Sequence, residues 1–258
     1  MTTRLDRERE FHDRAFAEGT RRSADRFYAI DARSTAFYHE QLLADCKGER
    51  VLEYGCGPGS AAFFLAENGA SVTGIDLSPV AIETAAKEAE RRGVAAATEF
   101  RVMNAEALEF PDDSFGLVCG TGILHHLELD RAFDEIARVL RPDGRAVFVE
   151  PLGHNPAINL YRRRTPELRT EDEHPLVMSD LQRASGYFHQ VEPRFFHLST
   201  LLAVPARRWK RFGPLVKALG RFDDALFRTV PPLKRYAWLV ALVLARPRPR
   251  PEQQRKPR

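Results

Sequence analysis

The chain has 258 residues, 43% hydrophobic and 29% charged, with a formal net charge of +3, enough apolar material for one sizeable core and a single elaborated domain. The positive balance resides in a Pro/Arg-rich stretch over 246–258, expected to be a disordered tail, and without it the chain is slightly acidic, which argues against nucleic acid as a partner. Cys46, Cys56 and Cys119 have no paired or Cys/His spacing, and no apolar run exceeds the nine residues of 237–245, so neither a disulfide framework, a metal site nor a membrane span is expected.

Between residues 4 and 46, Leu5, Phe11, Phe16, Phe27, Tyr28, Ile30, Phe37, Tyr38, Leu42 and Leu43 are scattered among charges, the pattern of two or three amphipathic helices. The charged opening has no apolar signal core, which points to a cytoplasmic location. From residue 50 the pattern alternates. A strand over 50–54 is followed by a helix over 60–68 that Gly69 stops and a strand over 71–77; Ser78-Pro79 then opens a second helix, ended at Gly93, before a strand over 98–103. After a turn at Pro111-Asp112-Asp113 comes a strand over 115–120. Asp130 is placed to cap the next helix, whose stripe Phe133, Ile136, Ala137 and Leu140 would lie on a sheet. Arg141-Pro142-Asp143-Gly144 breaks that helix before a fifth strand over 145–150. Strands alternating with helices predict a parallel sheet with right-handed crossovers.

After Glu150 the alternation stops. Residues 151–177 hold Pro151, Pro156, Pro166 and Pro175 and a dense charge cluster, which predicts a long irregular segment of the kind that usually carries function. A short helix over 179–187, a strand over 191–198, a basic helical stretch over 206–227 and an apolar strand over 237–244 complete the chain.

The most informative stretch is Glu53-Tyr54-Gly55-Cys56-Gly57-Pro58-Gly59. Alternate glycines let the backbone turn sharply and let a ligand reach the main chain, and the helix that follows offers unpaired N–H donors. Asp76, at the end of the next strand, suits a ribose diol. Together they describe a nucleoside-binding corner. A dinucleotide fingerprint would need glycine or alanine where Ser60 stands.

With Gly74-Ile75-Asp76-Leu77-Ser78-Pro79, Asn104-Ala105-Glu106 and Arg138-Val139-Leu140-Arg141-Pro142-Asp143-Gly144 following in order, residues 48–150 resemble the class I S-adenosylmethionine-dependent methyltransferases, in the bacterial small-molecule branch of the type 11 (UbiE-like) group. The resemblance implies an α/β fold: a Rossmann-like doubly wound seven-stranded sheet of order 3-2-1-4-5-7-6, last strand antiparallel, with an N-terminal helical lid and an inserted cap. Residues 1–47 would be the lid, 48–245 the methyltransferase domain with cap and acceptor elements over 151–235, and 246–258 the tail. The implied cofactor is S-adenosyl-L-methionine, leaving as S-adenosyl-L-homocysteine. Gly55, Cys56, Gly57 and Gly59 would meet its amino-acid end, Glu53 would support the loop, and Asp76 would hold both ribose hydroxyls. Leu77 would pack on the adenine and Asn104 and Ala105 would lie at its edge, Asn104 standing where the family usually has aspartate. Thr121 would close the floor beneath the methyl sulfonium.

Methyl transfer is an in-line displacement at an activated carbon, so the protein supplies mainly alignment, and a base only for a protonated acceptor. His125, His126 and Glu150 are the candidate base or acceptor-orienting groups. Tyr28, Tyr38, His154, Tyr161 and His174 are the candidate acceptor-pocket residues, with Phe11, His12 and Phe27 as further walls under the lid. Arg162-Arg163-Arg164 would either recognise an acceptor carboxylate or phosphate or pair with Glu167, Glu171, Asp172 and Glu173. The expected reaction is methylation of a hydroxyl or amine on a small organic, secondary-metabolite-like acceptor. The alternatives are a quinone or lipid acceptor met at the membrane surface through the basic run Arg207-Arg208-Trp209-Lys210-Arg211-Phe212, and a cofactor-binding protein with a regulatory or non-methylating role.

Overall fold

The computed structural model describes residues 3–18, 27, 29–44, 46–170 and 172–249. Strands β1 (Arg50–Tyr54), β2 (Ser71–Asp76), β3 (Thr98–Val102), β4 (Phe115–Thr121), β5 (Leu140–Pro151), β6 (Phe188–Phe196) and β7 (Leu239–Pro247) form one sheet in the order β3-β2-β1-β4-β5-β7-β6. β1 runs parallel to β2 and β4, β2 to β3, and β4 to β5, whereas β7 is antiparallel to both β5 and β6. The order reverses between β1 and β4. That reversal opens a crevice at the carboxyl ends of those two strands, the place where open α/β sheets collect ligands.

Both faces of the sheet are covered, and side chains divide between them with the strand's period of two. Leu52 and Tyr54 of β1 join a core with Phe115, Phe133 and Phe148, while Val51, just before Leu52, joins a second core with Leu65, Val72, Leu117 and Val147. Helices α1 (Arg4–Glu18) and α2 (Ala32–Leu43) precede the sheet, and Tyr38 and Leu42 of α2 enter the second core. α3 (Ala61–Glu67) links β1 to β2, and α4 (Pro79–Arg92) links β2 to β3. α5 (Leu129–Val139) buries Phe133, Ile136 and Ala137 against β4 and β5 as its stripe demands. Arg138 of α5, its side chain fully buried, is satisfied by Glu135, Asp112 and the carbonyls of Leu108 and Phe110, so the charge pins the 104–114 loop beneath the sheet.

Ser78 links two elements through one hydroxyl. Its Oγ accepts from the Ala81 N–H at 3.1 Å, capping α4, and donates to the Asp13 carboxylate of α1. Ser78→Ala is therefore expected to lower the unfolding free energy by about 1 kcal/mol, read as a lower midpoint at unchanged slope in urea unfolding; an unchanged midpoint would remove the cap from the account.

Several sequence expectations are corrected. Asp130 does not cap α5; Glu128 occupies the cap position, and Asp130 sits in the first turn accepting from the Tyr187 hydroxyl at 3.1 Å. Arg141-Pro142-Asp143-Gly144 lies inside β5, where the register to β4 shifts between Phe115 and Leu117, rather than ahead of it. The segment 151–177 contains a regular helix, α6 (Pro156–Arg164): Pro156 takes the first turn, where no N–H is needed, and the Asn155 side chain accepts from the Ala157 and Ile158 N–H groups. A short helix α7 (Met178–Arg183) leads to β6, and α8 (Phe212–Thr229) leads to β7. β7 runs on to Pro247, paired with Phe188, and Arg248 Nε donates to the Ser185 carbonyl, so the first residues assigned to the tail belong to the sheet. The remainder of that stretch, 250–258, lies outside the described residues.

Candidate functional site

The loop after β1 is built by left-handed glycines tied down by two carboxylates. Gly55 and Gly57 have φ of 58° and 52°, and a Cβ on Gly55 would come within 2.7 Å of the Ile123 side chain. Glu53, 1% exposed, accepts from the Ser60 hydroxyl at 2.6 Å and from the Ala61 and Ala62 N–H groups at 2.8 and 2.7 Å, closing the N-terminus of α3 onto the end of β1. Burial raises its carboxyl above the usual range, although those donors oppose the shift. Asp76 reaches back across the loop, one oxygen accepting from Gly57 N–H and the other from Ser78 N–H, each at 2.9 Å.

These elements wall a cavity of ≈ 180 Å³. Gly55, Cys56, Gly57, Asp76, Leu77, Ala105 and Thr121 line it, seven of the cofactor residues the sequence proposes. Three others do not. Glu53 is spent on α3, and Gly59 (φ 94°) makes the turn with its face against the Phe63 ring. The Asn104 amide oxygen accepts from Glu106 N–H at 2.9 Å, which leaves Met103 and Ala105 as the residues facing the cavity. The fourth wall comes from α1, where Arg4, Glu8, His12 and Phe16 share one helical face at spacings of four. Of these only His12 was singled out from sequence; the shared face was the available signal.

A larger cavity of ≈ 630 Å³ adjoins the first, sharing Ser60, Thr121, Gly122 and His126 with it. Tyr38, Tyr161, His125, Phe11 and Phe27 line it, along with Ile158, Trp238 and Leu239. The Tyr38 hydroxyl is buried beside Cys119, and burial pushes its phenol well up. At one end Arg162 meets Glu173 at 2.9 Å and Arg169 stands 3.9 Å from the same carboxylate, two guanidiniums to one acid. Two expected acceptor-pocket residues lie elsewhere. His154 accepts from Met178 N–H at 3.4 Å and faces a separate hollow beside Pro231 and Arg235, while His174 is exposed and turns its ring to the Asp172 carbonyl. Tyr28 lies outside the described residues.

His125 and His126 point different ways. Glu150, fully buried, accepts from Ile123 and Leu124 N–H with one oxygen and from His125 Nδ1 at 2.7 Å with the other. That contact places the imidazole proton on Nδ1 and leaves Nε2 as an acceptor in the larger cavity, 3.7 Å from Glu173. Burial holds the His125 ring below the ordinary histidine value, against the pull of Glu150. His126 lies against His125 with ring centroids 4.2 Å apart and turns Nδ1 to Glu8 Oε2 at 3.1 Å. Burial alone would raise the Glu8 carboxyl, but the close His12 and His126 rings and the Thr170 hydroxyl hold it well below the usual carboxylate range.

Comparison with known proteins bears on this site. Residues 52–148 match the family model described as methyltransferase domain. An uncharacterized methyltransferase of Bacillus subtilis, YcgJ, is 36% identical over 109 residues, 42% of this chain and 43% of its own length. The aklanonic acid methyltransferase DauC of a Streptomyces species is 40% identical over 109 residues, 41% of this chain and 49% of its own length. The chain thus spans about half the length of the curated relatives it matches. A phosphoethanolamine N-methyltransferase of Haemonchus contortus, solved with phosphomonomethylethanolamine and S-adenosylhomocysteine, shares the fold with a TM-score of 0.65 at 18% identity, over 93% of this chain and 60% of its own. Among the described residues no helix is long and apolar enough to cross a membrane.

Proposed function

Because residues 52–148 form a class I S-adenosylmethionine-dependent methyltransferase domain of the type 11 kind, we propose that the protein methylates a hydroxyl or amine of a small organic acceptor held in the ≈ 630 Å³ cavity. One observation carries this reading. The cavity with the nucleoside-binding chemistry and the aromatic cavity meet at Thr121, Gly122 and His126, and the second is lined by a tethered imidazole whose Nε2 lies 3.7 Å from Glu173.

The residues fit the cofactor. Left-handed Gly55 and Gly57 present bare backbone, and a Cβ on Gly57 would point across the cavity at Phe16, 3.4 Å away. Asp76 would accept from both ribose hydroxyls, Leu77 and Met103 would flank the adenine, and Thr121 and Gly122 would underlie the reacting end. When bound, S-adenosylmethionine supplies a methyl carbon activated by a positive sulfur. The chain then orients the acceptor: Tyr38, Tyr161, Phe27 and Trp238 enclose its body, Arg162 and Arg169 take an anionic substituent, and His125 Nε2 accepts the proton of its hydroxyl or amine while Glu150 holds the ring. Residues 1–47 act as the lid, α1 excluding water from the junction, and 151–235 supply the acceptor side.

A second reading, a lipid or quinone acceptor taken at a membrane surface, is supported by solvent-facing Leu202 and Trp209, 76% and 56% exposed beside the basic run. Co-sedimentation with anionic vesicles separates the two.

Incubation with isotopically labelled S-adenosylmethionine and a panel of hydroxyl- and amine-bearing small molecules, read by mass spectrometry, is expected to give a labelled acceptor in step with S-adenosylhomocysteine. Calorimetry that finds binding of neither S-adenosylmethionine nor S-adenosylhomocysteine would overturn the reading.

A further inference from the structure

We infer that Glu8, His12 and His126 form a binding site for a divalent transition-metal ion of the zinc class, at the wall the two cavities share. Glu8 and His12 lie four residues apart on α1 and so project from one face of the helix; His126 comes from the turn after β4. The Glu8 Oε2 atom is 3.1 Å from His126 Nδ1 and 3.4 Å from His12 Nε2, and the three ligand atoms lie within 4.8 Å of one another. A zinc ion bound at about 2.0–2.2 Å by nitrogen and oxygen holds neighbouring ligand atoms of a tetrahedron roughly 3.4 Å apart. The donor set, two imidazoles and one carboxylate with room for a further ligand, is that of catalytic rather than structural zinc sites.

A simple ion pair leaves part of this arrangement unexplained. Glu8 and His126 are 2% and 8% exposed, yet Glu8 Oε2 and His126 Nδ1, the two atoms that face each other, make no hydrogen bond of acceptable geometry despite their separation. Two buried polar atoms 3.1 Å apart that do not hydrogen-bond each other are costly unless a third body binds both. The surroundings hold the ligands in place: Thr170 donates to the other oxygen of Glu8, and Arg4, on the same face of α1, is taken up by Glu106 and the carbonyl of His126 instead of competing for Glu8. The neighbouring group His125, His126 and Glu173 makes a poorer set, because His125 Nδ1 is bound to Glu150 and Glu173 is bound to Arg162. Sequence spacing conceals the site because its ligands come from α1, ahead of the sheet, and from the turn after β4.

The test is zinc titration of the tag-free full chain after chelator treatment, by competition with a chromogenic chelator, with metal content after dialysis measured by plasma emission. One equivalent per chain is expected, and Glu8→Gln, His12→Ala and His126→Ala should each weaken binding at least tenfold with an unchanged circular dichroism spectrum. Because substitutions on α1 can disturb the helix, cobalt(II) added to the unaltered chain provides a second reading: intense visible bands of a four- or five-coordinate ion support the site. Substoichiometric zinc, binding equal in all three variants, or cobalt bands no stronger than those of the aqueous ion would overturn it. Neither experiment involves a methyl donor or acceptor, so its failure is distinguishable from failure of the methyl-transfer reading.

Discussion

Asp76→Ala is expected to weaken binding of both S-adenosylmethionine and S-adenosylhomocysteine by between tenfold and a thousandfold in titration calorimetry. The reason is the double use of one carboxylate. An ionised carboxylate has about four lone-pair sites, and here each oxygen spends one on the backbone, on Gly57 and Ser78, at 2.9 Å. The remaining two face the cavity. Removing the side chain deletes a charged acceptor for two ribose hydroxyls, each such bond worth roughly 1.5–3 kcal/mol. It also frees Gly57 N–H, so the loop proposed to meet the amino-acid end loses one of its ties to β2, the bond from Cys56 N–H to the Ile75 carbonyl remaining. Asp76→Asn should fall between wild type and alanine, since one amide position can accept and the other presents a donor to its neighbours. Unchanged affinity in the alanine variant would place the nucleoside somewhere other than the end of β2.

This dual role also marks what could and could not be read from sequence. Strands β1 to β5 were legible because short apolar runs, a glycine stop at Gly69 or Gly93 and a cap at Ser78 all speak about local conformation, which neighbours in sequence decide. The position of Gly55, Gly57 and Asp76 at the cavity wall is legible for the same reason: it is decided by where a strand ends. His154 and His174 were placed in the acceptor pocket on position alone, and position in an irregular segment says nothing of direction. Pro156, one of four prolines behind the expectation of an irregular segment, starts a helix, because the deciding partner is the Asn155 side chain folding back on the next turn. Asn104 is expected at the adenine edge, yet its amide oxygen turns to Glu106 N–H two residues downstream and the residue lies off the cavity wall. Glu8 illustrates the limit: its meaning depends on His126 and Thr170, which only the tertiary fold brings to it.

Glu53 and Glu150 show how the same residue type serves two ends of one site. Each is a buried acid at the end of a central strand, and each is neutralised by backbone N–H groups of the segment that follows a neighbouring turn: Ala61 and Ala62 for Glu53, Ile123 and Leu124 for Glu150. Glu53 spends its remaining capacity on Ser60 and is purely architectural. Glu150 spends its own on His125, which converts an architectural acid into one that sets a tautomer. Buried carboxylates therefore build both walls of the crevice, and only the second passes its charge on to a group that faces the acceptor cavity.

His125→Ala is for that reason expected to lower kcat by a hundredfold to ten-thousandfold, the range a positioned proton acceptor contributes, while affinity for S-adenosylmethionine stays within about twofold. The separation follows from the walls: His125 lines only the larger cavity, whereas His126 lines both, so a substitution at His126 is expected to disturb cofactor and acceptor together. His125→Gln tests the role further, because the amide can keep a hydrogen bond to Glu150 but offers no basic nitrogen; it should hold the fold and the cofactor as alanine does and recover little of the rate. Glu150→Gln should lose about as much activity as either, since its amide oxygen stays with the Ile123 and Leu124 N–H groups and its NH2 then donates to Nδ1, which moves the ring proton to Nε2, the nitrogen that has to accept. Initial rates at saturating cofactor, with kcat and KM for the acceptor resolved separately, distinguish these cases. Parallel losses of kcat and cofactor affinity in His125→Ala would make His125 a structural residue, and an unchanged kcat would leave alignment alone, without proton transfer, to account for the chemistry.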